Sequence, residues 1–337
     1  LADPAPRFRE GARSCTGDIG IDVQEPGSSS LVKIRALLAS IAVISAIFTA
    51  PAHATNLTIG IAYDIGGRGD RSFNDAAALG LEKAQKQLSF TVEPVVTDGS
   101  TADRERRVRA LITKNCNPII VVGAGYAPTI QALAVEFPNT QFAILNDASI
   151  DALNVTSLIF ADVQGAYLAG FSAAMASKSG KVAMLASANQ ADLYHNGFLA
   201  GVLASKKTVS SSVRYVNGST VTSARQAMDA GADVIFVARP GSNSEVFAAI
   251  VARNISKAKS KGARAVGMIS IEPDQYVTVT SATKKFLYAT VVKHVDKAMY
   301  DVIAKAVSGK QYLDVLDGNA GIYGHRYTVL SGGITFT

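Results

Sequence analysis

From Leu57 onward, short apolar runs alternate with longer segments in which apolar residues recur every three or four positions. LTIGIAY at Leu57–Tyr63 and the runs Ile119–Val122, Phe142–Leu145, Val182–Leu185, Val234–Val237 and Ala265–Ile269 are bounded by Gly, Pro, Asn or Asp. Runs of that length and character predict short buried strands. Between them lie helical patterns. In SFNDAAALGLEKAQKQL, Phe73, Ala77, Leu81, Ala84 and Leu88 fall on one face, and Ser72 followed by Asp75 resembles a capping box that starts the helix near Phe73. Thr101–Lys114, Val163–Ser177, Asn196–Ala204, Ser244–Ala258 and Val291–Val307 read as further helices. Repeated strand-then-helix order predicts an α/β protein of two doubly wound parallel-sheet lobes, helices on both faces. A ligand is then expected in a cleft between the carboxyl ends of the strands.

Composition changes this picture only by exclusion. With 337 residues, 48% apolar and 18% charged, the chain is neither disordered nor a single small core. The net charge of +6 is spread without long blocks, so no nucleic-acid partner is expected. Cys15 lies far upstream, and Cys116 stands between a helix and an apolar strand, where a buried small side chain is expected. His195, His294 and His325 show no metal-ligand spacing, and no Gly-x-Ser-x-Gly elbow is present. No catalytic set, metal or cofactor is therefore expected, and the protein is not expected to be an enzyme.

An export segment precedes this domain. Lys33 and Arg35 are followed by fifteen uncharged residues, Ala36–Ala50, then Pro51 and the small-x-small tripeptide Ala52-His53-Ala54. As a helix the run spans roughly 22 Å, short of a roughly 30 Å hydrocarbon core. A signal peptide at 31–54, cleaved after Ala54, is expected, with no lipid-anchor cysteine at the cleavage point. Residues 1–30, rich in Pro, Gly, Ser and Arg, read as a leader added by a start site placed too far upstream.

The most specific chemistry is in the loop Asp64–Asn74, DIGGRGDRSFN, joining the first strand to the first helix. Its glycines permit close backbone approach. The Gly-Lys-Ser/Thr ending of a phosphate loop is missing, and Asp64, Asp70 and Asp75 would repel phosphate. A neutral polar ligand fits better: Asp64 accepts from hydroxyls, Phe73 stacks on a planar ring and Asn74 offers donor and acceptor. From spacing alone, Phe73 reads first as a core residue of its helix.

The string DIGGRGDRSFNDAAALGLEKA closely resembles the opening signature of the basic membrane protein family, the PnrA-like substrate-binding proteins of ABC transporters. Looser similarities follow in the family's order: NVTSLIFADVQGAYLAGFSAAMASKSGKVAML at 154–185, GADVIF at 231–236, PDQY at 273–276 and YATVVKHVDKAMYDVI at 288–303. The resemblance implies a type I periplasmic-binding-protein fold, with two lobes, three crossovers and a cleft that closes on a nucleoside, purines especially. It also implies delivery to an ABC transporter permease and ATPase complex, the only expected route of membrane contact, from an extracytoplasmic or cell-envelope location. By match to the family's pattern, the implied ligand residues are Asp64, Phe73, Asn74, Asn146, Asp147, Glu272 and Lys293, the last on the family's final helix. The implied division is 55–163 with 291–308 in the N-terminal lobe, and 164–290 with 309–337 in the C-terminal lobe.

Two departures fall on the second-lobe side. The family's Gly-Ser-Phe, a second aromatic wall, is here Gly218-Ser219-Thr220, and its Gly-Gly-Thr-Gly loop is replaced by Arg239-Pro240-Gly241-Ser242. They leave open a second class, a secreted or surface interaction protein that keeps the fold with lost or altered nucleoside binding. A third, an exported nucleoside hydrolase, would need a nucleophile or metal cluster that the sequence does not display.

Overall fold

The computed structural model of the chain describes residues 57–187, 191–216, 218–239, 243–271 and 275–337. The expected leader, export segment and cleavage site, and Glu272, lie outside the described residues. In the first lobe, β1 (Thr58–Tyr63), β2 (Thr91–Val96), β3 (Ile119–Val122), β4 (Phe142–Leu145) and β5 (Val155–Phe160) are parallel, in the order β5-β4-β3-β1-β2. They are linked through α1 (Phe73–Gln87), α2 (Thr101–Thr113) and α3 (Ala127–Glu136). Strand alternation sorts the core into two layers. Ile59, Ile61, Tyr63, Ile120 and Val122 pack with Ala77, Leu81 and Ala84 of α1. Ala62, Ile119, Val121 and Ile144 meet Val108, Leu111, Ile130 and Leu133 of α2 and α3. A sheet covered on both faces has no polar side, which is why β1, β3 and β4 read as continuous apolar runs. Cys116 is buried in the second layer, and burial pushes its thiol up.

The second lobe repeats the plan. Its strands are β6 (Lys181–Ser187), β7 (Ser210–Val216), β8 (Val234–Ala238), β9 (Gly267–Ile271) and β10 (Leu287–Lys293), ordered β10-β9-β8-β6-β7. Met184, Ala186 and Phe236 pack with α4 (Asp162–Ala176) and α5 (Ala191–Ala204). Leu185, Ile235 and Val237 pack with α6 (Thr220–Asp229) and α7 (Ser244–Lys257). The one-turn helices α8 (Gln275–Thr278) and α9 (Ser281–Lys284) precede β10. Helix α10 (Val295–Val307) then returns to the first lobe and packs on α1. There a Cβ on Gly80 would lie 2.2 Å from Asp296 O, so only glycine admits the approach.

The chain passes between lobes at three places: β5 to α4, β10 to α10, and the stretch after β12 (Ile322–Tyr327) to β13 (Ile334–Phe336). This last passage corrects the expected division. The resemblance implies that residues 309–337 lie wholly in the second lobe, but β11 (Asp314–Asp317) and β12 extend the first sheet, β12 running parallel to β5. Tyr327 is fully buried there, tilted against Phe160 with ring centroids 5.5 Å apart. Only β13 joins the second sheet, antiparallel to β10.

The final helix is corrected in the same way. Val291–Lys293 form the end of β10 and pair with β13, so Lys293 is a strand residue and the helix begins at Val295. The strand expected at Ala265–Ile269 is shifted to Gly267–Ile271. Both backbone groups of Val266 are taken by the Asn254 amide, at 2.8 and 2.9 Å, which removes that residue from strand pairing.

Candidate functional site

The loop after β1 is shaped by its own side chains. Gly66, Gly67 and Gly69 have φ of 87°, 54° and 99°, a region that disfavours larger residues. Asn74, 2% exposed, accepts from Asp64 N at 3.0 Å and donates to Ile65 O at 3.2 Å and Asp64 O at 3.4 Å. Its amide therefore clamps the loop from inside.

The helix begins at Phe73 as expected, but the Ser72 hydroxyl makes no capping bond. Asp70 does the capping: its carboxylate accepts from Ser72 N at 2.8 Å and from Asn74 N and Asp75 N at 3.1 Å. Asp75 reaches back to accept from Gly69 N at 2.6 Å and Arg71 N at 2.9 Å. Two of the three loop acids are thus compensated by backbone N–H groups. The third, Asp64, is paired with Arg104 of α2 at 2.6 Å.

Arg104 was not foreseen. In the sequence it sits in TADRERRVRALIT, which reads as a solvated helix face; in the fold it points inward, 12% exposed. Its Nη1 donates to Gly99 O at 2.6 Å and its guanidinium stands 5.3 Å from the Tyr126 ring. Tyr126 donates to Tyr63 O at 2.8 Å, and burial holds its hydroxyl well above the usual tyrosine range. Asp64 thereby keeps a fixed orientation at the end of β1 with 30% of its side chain exposed.

Phe73 opens α1, half-buried against the core. Asn146 and Asp147 follow β4 on the same edge of the sheet, Asn146 with φ of 67°. One Asp147 oxygen accepts from Ser149 N and Oγ at 2.8 and 2.7 Å, which fixes the turn. Asp64, Phe73, Asn146 and Asp147 therefore share the carboxyl edge of the first sheet.

Lys293 stands elsewhere, at the end of β10. Its side chain is 1% exposed, 2.6 Å from Asp162 and 3.3 Å from the Tyr194 hydroxyl, with the Phe160 and Tyr194 rings within 6 Å. Asp162 and Tyr194 were not foreseen either, since one acid in a helix's first turn reads as a complement to the helix dipole.

Two cavities open at this end of the lobes. The larger, about 620 Å³, has Asp70 and Arg71 of the first-lobe loop on its wall with Ser244, Phe247, Gln275 and Thr283 of the second lobe. None of the six expected ligand residues that are described lines it. The second, about 340 Å³, is walled by Ser219, Thr220, Arg239, Asn243 and Glu245.

Comparison with known proteins agrees with this architecture. The profile of the family described as ABC transporter substrate-binding protein PnrA-like matches residues 58–326. The CD4+ T-cell-stimulating antigen of Listeria monocytogenes is 31% identical over 275 residues, covering 75% of this chain and 74% of that protein. The ABC transporter nucleoside-binding protein BmpA of Lactococcus lactis is 27% identical, covering 76% of each. Among solved structures, an ABC transporter solute-binding protein from Aeropyrum pernix superposes with a TM-score of 0.62 at 22% identity, over 83% of this chain and 76% of that one. That likeness bears on the fold alone.

Proposed function

The chain belongs to the PnrA-like family of ABC transporter substrate-binding proteins, and from that premise we propose that it captures a nucleoside between its lobes and delivers it to an ABC permease. The carrying observation is that a half-buried aromatic ring, Phe73, and a carboxylate, Asp64, held by Arg104 at 2.6 Å, both stand at the carboxyl edge of the first sheet. The ring gives a base a stacking surface, and the carboxylate accepts from ribose hydroxyls. Asp147 and Asn146 extend the polar side. A purine covers more of a phenyl ring than a pyrimidine does, so purine nucleosides are favoured. The relative named as nucleoside-binding, BmpA, supports the same ligand class.

Asn74 acts in this reading as a positioning residue, because its amide is engaged with the loop backbone. Lys293, buried behind the Tyr194 and Phe160 rings, sets the floor where the lobes join. Capture of cargo for a permease places the protein outside the cytoplasm, as the Lys33–Ala54 segment suggests. A thermal-shift screen against nucleosides, free bases, ribose and amino acids tests the proposal. Nucleosides should raise the melting temperature most, and stabilisation by amino acids alone would overturn it.

A further inference from the structure

Arg239 follows the last pair of β8 at the carboxyl edge of the second sheet. Its Nε donates to Ser187 Oγ at 3.3 Å and its Nη1 to Thr220 Oγ1. Asn243 Nδ2 donates to Arg239 O at 2.8 Å, so backbone and guanidinium are both held in place. A guanidinium carries five N–H donors. Two go to these neutral hydroxyls, and among the described residues no carboxylate pairs with Arg239. Among the described residues the positive charge is oriented but not neutralised, on the wall of the 340 Å³ cavity.

The same wall carries the first turn of α6. Ser219 Oγ accepts from Thr222 N at 3.4 Å, and the N–H groups of Thr220 and Val221 have no partner among the described residues. Donors of both kinds therefore border one cavity. Asn243 and Glu245 of its wall flank Ser244, which lines the larger cavity together with Asp70 and Arg71 of the first lobe. The charge thus adjoins the region between the lobes.

We propose that Arg239 and the first turn of α6 bind a phosphate monoester on the ligand, so that the preferred cargo is a nucleoside monophosphate. The inference rests on the nucleoside reading of Phe73 and deepens it. A tetrahedral phosphate with three terminal oxygens uses a guanidinium fork and backbone N–H groups together, and such bonds are charge-assisted. The acids of the first loop do not oppose this, since Asp70 and Asp75 are compensated by N–H groups within their own loop. Glu245 is the acid on the cavity wall, exposed in the first turn of α7, and its charge works against the phosphate. Arg239 and Glu245 are therefore expected to act with opposite sign.

The test is calorimetric titration of adenosine and adenosine 5′-monophosphate into the wild type, Arg239→Gln and Glu245→Gln. The wild type should prefer the monophosphate. Arg239→Gln should weaken the monophosphate by about 10- to 150-fold, the range for hydrogen bonds to charged groups, and leave adenosine nearly unchanged. Glu245→Gln should tighten the monophosphate, and added salt should weaken it while sparing adenosine. Should Arg239→Gln fail to fold, the Glu245→Gln and salt responses still decide. Adenosine bound as tightly as its monophosphate by the wild type overturns the inference and leaves the nucleoside reading standing. Binding of neither overturns the nucleoside reading itself.

Discussion

Lys293 and Asp162 form an ion pair at 2.6 Å, and each stands at one of the passages between lobes: Lys293 ends β10 just before the chain leaves for α10, and Asp162 opens α4 just after it arrives from β5. The pair fastens two connecting segments to each other in a nearly dry setting, the side chains 1% and 10% exposed. Removing Lys293 leaves the buried Asp162 carboxylate without this cation, at a cost of about 3–5 kcal/mol. Lys293→Met should therefore lower the denaturation midpoint strongly. Adding Asp162→Asn should cost less than the sum of the single losses, as for residues in contact. Additive losses in a double-mutant cycle would show that the pair is not coupled.

The Asp64–Arg104 pair is less buried and serves orientation. Arg104→Met frees the Asp64 carboxylate and removes its anchor to Gly99. Nucleoside affinity should fall on the order of tenfold, about 1.4 kcal/mol. Free-base affinity should change little, because a base lacks the ribose hydroxyls that Asp64 accepts from. Equal losses for nucleoside and base would remove Asp64 from the ribose.

Acid should loosen the same corner. The Asp103 carboxyl is held down at about 2, first by the N–H of Asp98, then by Arg106 and Thr97, with burial opposing them. Its folded value lies below the ordinary 3.8, so its stabilisation is present above about pH 4 and is lost as pH falls towards 2. Asp103→Asn should flatten the fall in urea midpoint across that window. A variant curve parallel to the wild type's would exclude the role.

How much of this was legible in the sequence follows from burial. β1, β3, β4 and β8 lie inside covered sheets and showed as unbroken apolar runs. The edge strands β2, TVEPVV, and β7, SSSVRYV, are half exposed, carry a proline or a serine run, and gave no period to read. The end of β10 reads as helix in the sequence because Val291–Lys293 run without a break into the apolar face of α10. The first-loop residues were legible because their string is unusual. Their division of labour was not: Asn74 serves the loop and Asp70 caps the helix because of hydrogen bonds that no spacing displays. Arg104 reaches Asp64, and Asp162 and Tyr194 reach Lys293, from distant segments, and each looks ordinary where it stands.

Closure should accompany binding. Two lobes joined by three short passages can rotate as rigid bodies about them. Small-angle scattering should show a smaller radius of gyration when adenosine saturates the protein. An unchanged radius at saturation would count against a ligand held between the lobes.

Titration of adenosine into wild-type and Phe73→Ala protein, with denaturation curves for both, tests the central claim most directly. Stacking a base on an aromatic ring is worth roughly 1–3 kcal/mol by alanine substitution, which corresponds to about 5- to 150-fold in affinity. The account predicts single-site binding by the wild type, a loss within that range in Phe73→Ala, and a variant that remains folded. Unchanged adenosine affinity in a folded Phe73→Ala protein would contradict it.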